Sequence, residues 1–289
     1  MNPVIFSIGS FELRYYGLMY AIAFFVGIEI AKYMAKERNF NPSIIENYAF
    51  FAMLSGLLGG RLYYVLFNFD YYLSNPSEIL ATWHGGMAIH GGIIGGIVGT
   101  FIYGKIKKLN PLTLGDFAAA PLILGQAIGR FGNFMNGEIH GVPTFTPWNV
   151  IFSVKPQFYQ WYSEYLKMPL LEKISYKELV PWGLVFPTSS PAGSEFPNIP
   201  VHPAMLYELI LNFIGFLFIW LVLRKRPNKA PGYLWWSYII IYSLIRIFVS
   251  FFRAEDLMIF NLRAPHLVSI LLIIFSFTMI KLGEIKAHK

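Results

Sequence analysis

The stretch GRFGNFMNGEIHG, residues Gly129–Gly141, decides how this chain is read, because it joins an apolar run to the only long polar segment. It contains a cation, Arg130, two amides, Asn133 and Asn136, and a carboxylate, Glu138. An arginine offers a planar fork of donors that suits a phosphate, and glycines allow the backbone to approach a ligand closely. An isolated arginine here would be read as snorkelling to the interface, but the cluster favours an anion site at a membrane edge.

The composition indicates an integral membrane protein. Of the 289 residues, 55% are hydrophobic and 13% are charged, whereas a typical soluble domain has about 25% charged residues. The net charge of +7 does not indicate binding to nucleic acid, because most Lys and Arg residues lie in short clusters between apolar runs. The chain has no cysteine, which excludes disulfides, thiolate metal sites and a cysteine nucleophile. Any thiol in the chemistry must therefore come from the substrate.

Seven runs are apolar and long enough to span a membrane, which takes roughly 20 residues. They are Tyr15–Ala31, Ile44–Phe67, Trp83–Tyr103, Leu112–Ile128, His202–Leu223, Gly232–Phe252 and Ala264–Lys281. We therefore predict an all-α membrane protein with about seven transmembrane helices. Residues 1–136 hold the first four helices, residues 137–200 form a small extracytoplasmic insert, and residues 201–289 hold the last three helices and a basic cytoplasmic tail. Short strands are predicted in the insert near Trp148–Val154 and Leu184–Phe186.

The distribution of charge predicts the orientation of these spans. The segments after spans one, three, five and seven hold thirteen Lys and Arg residues, whereas the other side holds seven although it is much longer. Cytoplasmic loops carry the excess of Lys and Arg in membrane proteins. The N-terminus and the insert are therefore expected outside, and the C-terminus is expected in the cytoplasm.

Three arginines, Arg61, Arg130 and Arg246, lie within or at the edge of spans, where an ionisable group is a functional candidate. In the sixth span, Tyr242, Arg246 and Arg253 fall at spacings of four and seven, which places them on one helical face. Two arginines and a tyrosine on one stripe of an apolar helix predict a further part of an anion site.

His90 lies in the glycine-rich third span, where Gly91, Gly95 and Gly99 recur every four residues, as they do in closely packed helices. A histidine inside a span is costly without a partner, and it titrates near neutral pH. It could accept a proton, donate a hydrogen bond to a phosphate, or be satisfied by a neighbouring helix.

Together these motifs resemble one family, the bacterial prolipoprotein diacylglyceryl transferases. The opening stretch matches the family signature at Arg130, Gly132, Asn133, Phe134, Asn136, Glu138 and Gly141. The resemblance continues in order at Arg14–Tyr20, at Gly59–Arg61, at Gly85 and Gly86 with His90–Gly92, at His202 and Pro203 with Leu206–Glu208, and at Tyr242 with Arg246. It therefore covers nearly the whole chain.

The resemblance implies a reaction at the bacterial cytoplasmic membrane. The family transfers the diacylglyceryl group of phosphatidylglycerol to the lipobox cysteine thiol in the signal-peptide region of a prolipoprotein, and it releases glycerol phosphate. The implied catalytic residues are His90, Arg130, Arg246, Tyr16 and Tyr242. The implied substrate-binding residues are Arg130, Asn133, Asn136, Glu138, Gly132, Arg61, Arg246, His202 and Tyr207, to which the helical face of the sixth span adds Arg253. Arginines suit the departing phosphate, and a nearby His or Tyr could assist thiol deprotonation. No cofactor, metal or nucleic-acid partner is expected.

The sequence departs from the family pattern on the sixth span. The family usually has a glutamate one turn after the arginine that corresponds to Arg246, but this chain has Ser250. Glu255 or Asp256 in the following loop could supply the missing carboxylate. Two further departures are Ala204 and Met205, where the family usually has Ser or Thr and then Gln.

Three other functions remain open from the sequence. A membrane transporter for an anionic substrate would also place arginines and glycines in its spans, but it usually has an internal repeat, and none is visible here. A different phospholipid head-group transferase could use the same anion site. A catalytically weak relative could bind lipid only, and the serine at position 250 keeps that alternative open.

Overall fold

The computed structural model describes residues 3–9, 11–153, 157–226 and 230–287. Val154 and three of the charges counted above, Lys155, Lys229 and Lys289, lie outside these ranges. In chain order the elements are β1 (Val4–Ile8), β2 (Phe11–Arg14), α1 (Tyr15–Glu37), α2 (Pro42–Phe67), α3 (Phe69–Ser74), α4 (Ile89–Lys107), α5 (Pro111–Asn136), α6 (Trp148–Ile151), α7 (Phe158–Lys167), α8 (Leu170–Lys173), α9 (Pro191–Glu195), α10 (Ala204–Phe218, continued by a π turn at Ile219–Leu223), α11 (Tyr233–Phe252), β3 (Met258–Ile259), β4 (Leu262–Arg263) and α12 (Ala264–Ala287).

Seven of the described helices are long and apolar enough to cross a membrane, namely α1, α2, α4, α5, α10 with its π turn, α11 and α12. The predicted all-α fold with seven spans is therefore confirmed. Many large apolar side chains on these helices are not covered by other parts of the protein. The exposed fraction is 62% for Phe25 and 71% for Leu58, for example. Apolar surface of this extent is expected where helices face lipid.

The third span begins later than predicted, at Ile89 rather than at Trp83. The residues before it form a short 3-10 turn, and Gly85 and Gly86 follow with φ angles of 87° and 78°. A right-handed helix cannot pass through such left-handed residues. His90 is consequently the second residue of α4 and lies at the N-terminal end of this span rather than in its interior.

The insert, residues 137–200, contains the short helices α6 to α9. The strand predicted from Trp148 is wrong, because Trp148–Ile151 forms a helical turn that starts after Pro147. Pro147 is the N-cap of this turn, with a φ angle of −59° and an extended ψ angle of 143°. The second predicted strand is reduced to a single bridge, in which Leu184 and Val201 exchange two backbone hydrogen bonds of 3.0 Å.

The chain forms two compact units, one of Met1–Gly27 with Ala120–Lys289 and one of Ile28–Ala119. In the second unit α2 packs along α4. A Cβ atom added at Gly59 would lie 2.4 Å from the Gly91 carbonyl oxygen, and one added at Gly95 would lie 2.3 Å from that of Ser55. The predicted close packing through small residues is therefore confirmed.

In the first unit α11 packs against both α10 and α12. Backbone hydrogen bonds tie the start of the insert to these helices. The Gly141 N–H donates to the His202 carbonyl at 2.8 Å, and the Val142 N–H donates to the Phe252 carbonyl at 2.9 Å. The segment that leaves α5 is thus fixed beside the beginning of α10 and the end of α11, which brings polar groups from all three together.

Candidate functional site

Four side chains at the C-terminal end of α5 form one hydrogen-bonded group. Arg130 donates from Nη1 to Asn133 Oδ1 at 3.0 Å. Asn133 Nδ2 donates to one oxygen of Glu138 at 3.0 Å, and Asn136 Nδ2 donates to the other at 3.3 Å. Arg130 and Asn133 share a helical face because they are three residues apart, and Glu138 closes the group from beyond the end of the helix. Four residues predicted from the signature stretch are therefore brought together.

Glu208 on α10 is a partner of Arg130 that the sequence analysis did not include among the site residues. Its Oε1 accepts a hydrogen bond from Arg130 Nη2 at 2.6 Å, and its side chain is fully buried. A buried carboxylate is tolerated when a cation compensates its charge. The sequence did carry a signal for this residue, namely an acidic side chain in the first turns of an apolar span.

Two glycines shape the surroundings of this group. Gly137 has a φ angle of 66°, and a Cβ atom there would lie 2.7 Å from Ser190 Cβ. A Cβ atom on Gly132 would lie 3.2 Å from Tyr16 Cδ2. Tyr16 in turn lies close enough to Arg130 to interact with it electrostatically. This geometry gives Gly132 a packing role, since it admits the predicted catalytic tyrosine.

Arg246 and Arg253, predicted to share a face of the sixth span, meet at one carboxylate. Asp256, in the loop after α11, accepts a hydrogen bond from Arg246 Nη2 at 2.9 Å, and Arg253 Nε lies 3.7 Å from the same oxygen. Ser250 Oγ donates to the other Asp256 oxygen. Burial lowers the pKa of Arg253, as does the neighbouring Arg246, while Asp256 acts in the opposite direction. Asp256 thus supplies from the loop a carboxylate for Arg246, which Ser250 on the helix cannot provide.

These two groups belong to one electrostatic cluster. Tyr242 interacts with four charged side chains, those of Glu208, Arg130, Arg246 and Arg253. The charged members of the cluster are the arginines at 130, 246, 253 and 263 and the carboxylates Glu138, Glu208 and Asp256. Four cations and three anions leave one unit of positive charge. Four buried guanidinium nitrogens, Arg130 Nε, Arg246 Nη1, Arg253 Nε and Arg263 Nε, have no hydrogen-bond partner among the described residues. The cluster therefore has more donors than its own carboxylates take up.

His202 and Tyr207 form a hydrogen-bonded chain with Trp182 of the insert. Trp182 Nε1 donates to the Tyr207 hydroxyl at 2.8 Å, and this hydroxyl lies 3.0 Å from His202 Nδ1. Because the hydroxyl accepts from Trp182, its own proton is available for His202, which fits a neutral ring with its proton on Nε2. Burial lowers the pKa of His202 to about 4. These two predicted binding residues therefore link the insert to the start of α10.

Arg61, in the second unit, is engaged by backbone carbonyls. Its guanidinium donates to five of them, those of Ile79 at 2.8 Å, Gly85 at 2.6 Å, Gly86 at 2.8 Å, Glu78 at 2.5 Å and Ala81 at 3.4 Å. A guanidinium has five N–H groups, so this geometry leaves none for a substrate. We therefore revise its predicted substrate-binding role to a structural one, in which it holds the segment before α4.

His90 is exposed in the first turn of α4, also in the second unit. Its ring centroid lies 6.2 Å from that of Tyr63. Among the residues that the structure describes, none hydrogen-bonds to its imidazole, so a neighbouring helix does not satisfy it there. Both ring nitrogens are available to an external partner.

This chain is similar over most of its length to a known protein family and to several named proteins. A family model described as prolipoprotein diacylglyceryl transferase matches residues 3–282. The chain belongs to the prolipoprotein diacylglyceryl transferase family. A Fusobacterium nucleatum subsp. nucleatum protein named phosphatidylglycerol–prolipoprotein diacylglyceryl transferase is 70% identical over 281 residues, which cover 97% of this chain and 98% of that protein. Proteins of the same name from Staphylococcus aureus strains MSSA476 and JH9 are 33% identical over 287 residues, which cover 99% of this chain and 90% of theirs.

Membership of the prolipoprotein diacylglyceryl transferase family confirms the resemblance found in the sequence and, with it, the predicted transferase class. The seven spans agree with a multi-pass membrane enzyme. The transporter alternative is not favoured, because relatives that align over almost the entire chain are named as transferases.

Proposed function

We propose that this chain transfers the diacylglyceryl group of phosphatidylglycerol to the lipobox cysteine thiol of a prolipoprotein. The observation that carries the proposal is the cluster around Arg130, Arg246 and Tyr242, which has one excess positive charge and unpartnered arginine N–H groups. A phosphodiester carries one negative charge, and arginine donors match its oxygens. The names of the relatives point to the same two substrates.

The transfer is an alkylation at carbon. The thiolate sulfur of the prolipoprotein attacks the glyceryl carbon that bears the phosphate ester, so that an S–C bond forms and the C–O bond breaks. The electron pair of that bond remains on the phosphate oxygen, and glycerol phosphate leaves with one more negative charge. Cations beside the phosphate accelerate the reaction, because they stabilise the extra negative charge of the transition state more than they stabilise the bound substrate. Because the chain has no cysteine, the attacking thiol belongs to the substrate.

Arg130 and Arg246 are assigned to the phosphate, because each has one guanidinium nitrogen without a partner among the described residues and a second nitrogen hydrogen-bonded to a buried carboxylate. Asn133 and Glu208 brace Arg130 through hydrogen bonds of 3.0 and 2.6 Å. Tyr242 is assigned to the phosphate region as well, since it interacts with both arginines. These contacts support a site that is organised before the lipid arrives.

Glu138 and Asn136 support the same site from the end of α5, and Arg253 adds a further cation to it. Tyr16 is kept as a catalytic candidate because of its interaction with Arg130. His90 is proposed to act either as the acceptor of the thiol proton or as a hydrogen-bond donor to the phosphate.

We further propose that the chain lies in the bacterial cytoplasmic membrane with its N-terminus outside and its C-terminus in the cytoplasm. The excess of Lys and Arg in four of the connecting segments supports this orientation. Residues 137–200 then face outward, where a secreted precursor presents its lipobox. Phosphatidylglycerol enters sideways from the bilayer, between spans.

The proposed function is tested with purified protein, phosphatidylglycerol vesicles and a synthetic lipobox peptide, followed by mass spectrometry of the peptide. We expect an adduct with the mass of one diacylglyceryl thioether. The matched control is a peptide with serine in place of the lipobox cysteine, which should remain unmodified. If folded protein binds the lipid but gives no adduct, the lipid-binding alternative replaces the enzyme.

A further inference from the structure

Asp256 joins four side chains at one point in the first unit. Its Oδ1 accepts a hydrogen bond from Arg246 Nη2 at 2.9 Å and lies 3.7 Å from Arg253 Nε. Its Oδ2 lies 3.5 Å from Arg263 Nη1 and accepts a hydrogen bond from Ser250 Oγ. The Asp256 side chain is 2% exposed, so its charge is tolerated only because these partners compensate it.

A tight hairpin brings this loop residue back to the last turn of α11. Strands β3 and β4 pair in antiparallel register, and the turn between them consists of Phe260 and Asn261 with φ angles of 50° and 60°. Two central residues of positive φ are typical of a two-residue hairpin turn. At the end of β4, Arg263 Nη1 donates to the Ser250 carbonyl at 2.8 Å. The loop is therefore fastened to the helix at the level of Ser250, where Asp256 meets it.

Each of the three arginines around Asp256 keeps one nitrogen without a hydrogen-bond partner among the described residues, namely Nη1 of Arg246 and Nε of Arg253 and of Arg263. They differ in exposure and in what holds the rest of the guanidinium, and Arg253 is 19% exposed. Arg263 is 3% exposed and bonds the Ser250 carbonyl, which makes it an internal counter-charge. Arg246 is 15% exposed, and its Nη1 has no partner among the described residues, whereas its Nη2 is held by Asp256. The direction of the free Arg246 donor therefore depends on the carboxylate that holds the other nitrogen.

We infer that Asp256 is a positioning residue, which acts through Arg246 to orient the guanidinium that holds the phosphate of the lipid substrate. This inference rests on the proposed function. Ser250 then has a role as well, because its hydroxyl donates a hydrogen bond to Asp256 and so helps to hold the carboxylate against α11. Position 250 lies four residues after Arg246 on α11 and hence on the same face. A carboxylate at either position could therefore hold the arginine.

The exchangeability of these two side chains provides the test. We compare Asp256→Asn, Asp256→Ser and the double exchange Ser250→Asp with Asp256→Ser in the purified full-length protein. Glu255→Gln is the matched control, because it removes the neighbouring, exposed carboxylate. The measurements are kcat and KM for phosphatidylglycerol in the lipobox-peptide assay, together with the thermal unfolding temperature of each variant.

We expect both single Asp256 variants to lose about tenfold or more in kcat/KM for phosphatidylglycerol, as for the loss of one hydrogen bond between charged groups. The double exchange should return to within about threefold of the parent, because neighbouring substitutions that restore one interaction are not additive. Glu255→Gln should match the parent in both constants.

Every other result overturns the inference. Parental constants for Asp256→Asn would show that Arg246 needs no carboxylate. A double exchange that recovers the unfolding temperature but not kcat/KM would assign Asp256 a structural role only. If no Asp256 variant accumulates as folded protein while Glu255→Gln does, Asp256 is a folding residue and the inference is rejected. Failure of the proposed function would be distinct, because the parent itself would then give no adduct.

Discussion

Arg130 and Glu208 join α5 to α10 through a contact of 2.6 Å, and Glu208 has no exposed side-chain surface. The same guanidinium holds Asn133 at 3.0 Å through its other terminal nitrogen. Removal of one partner from such a pair leaves a buried charge without compensation. The pair therefore determines both the local stability of the two helices and the direction in which Arg130 presents its remaining donor.

This arrangement predicts that Arg130→Lys is strongly impaired. Lysine keeps the charge but lacks the planar fork that contacts Asn133 and Glu208 at once. Loss of one preorganised donor typically lowers the rate about 10²- to 10³-fold, and we expect kcat of Arg130→Lys to fall by that order in the lipobox-peptide assay.

The matched control is Arg38→Lys, which changes an arginine that lies 3.9 Å from a buried carboxylate, Asp116, in the second unit. Its transfer rate should stay near that of the parent. Near-parental transfer by well-folded Arg130→Ala and Arg246→Ala would reject the phosphate-site assignment.

The packing of α2 on α4 predicts opposite effects for two glycine substitutions. A Cβ atom at Gly59 would lie 2.4 Å from the Gly91 carbonyl oxygen, whereas one at Gly96 meets nothing within 4 Å. Gly59→Ala should therefore destabilise the protein by about 1–3 kcal/mol, as overpacking does. Gly96→Ala should be neutral or stabilise by up to about 1 kcal/mol, because alanine is the better helix former. Thermal unfolding in one detergent compares the two, and equal unfolding temperatures would contradict the close packing.

The sequence predicted those features that depend on local patterns. Apolar run length located all seven spans, and the spacing from Arg130 to Glu138 marked a group that does hydrogen-bond together. The start of the third span was missed because hydropathy does not register backbone conformation. Gly85 and Gly86 are compatible with a helix by composition, yet their positive φ angles stop it.

The parts that could not be predicted are pairings between residues that are distant in the chain. Glu208 lies 78 residues from Arg130, and no local spacing relates the two. Asp256 was named as one of two loop carboxylates that could serve Arg246, but the choice depends on the β3–β4 hairpin. Arg61 was expected to bind substrate because it is a cation in a span, whereas the carbonyls that engage it belong to a later segment.

His202 predicts how stability depends on pH. Burial lowers its pKa to about 4 from the ordinary histidine value of 6.5, so the unfolded chain binds a proton at a higher pH than the folded protein does. The stabilisation is present above pH 6.5 and is lost as the pH falls towards 4. The free energy of unfolding should therefore fall by about 2 kcal/mol between pH 6.5 and pH 5.

Thermal unfolding at these two pH values checks the effect. His202→Gln should be less stable than the parent at pH 6.5 but should lose less stability on acidification. His90→Gln, which changes an exposed histidine, should retain the parental pH dependence. An unchanged dependence in His202→Gln would contradict the assignment.

The charge distribution predicts which loops face outward. Cysteines can be introduced singly because the chain has none, and Ser77, Ser194, Asn110 and Lys225 are all exposed positions. A membrane-impermeant thiol reagent on intact cells should label Ser77→Cys and Ser194→Cys but neither Asn110→Cys nor Lys225→Cys. After permeabilisation all four should react, which controls for accessibility. Labelling of the Asn110 or Lys225 variant in intact cells would contradict the predicted orientation.

The role of His90 can be resolved by the dependence of rate on pH. If His90 accepts the thiol proton, its loss should matter less at high pH, because a peptide thiol ionises unaided near pH ~8.5. If it instead donates a hydrogen bond to the phosphate, alkaline pH should bring no such recovery. His90→Asn should then retain part of the activity, since an amide remains a donor of similar reach.

We favour the donor role, because a neutral imidazole always carries one N–H, and no described residue takes up that hydrogen bond from His90. The measurement is the rate from pH 6 to pH 9 for His90→Asn, His90→Ala and the parent, with matched expression and detergent stability. His90→Ala should be slow at every pH, with His90→Asn between it and the parent. Recovery of both variants to the parental rate at alkaline pH would refute the donor and establish the base, because only the proton-transfer step is bypassed when the thiol is already ionised. Full activity of His90→Ala at neutral pH would refute both roles.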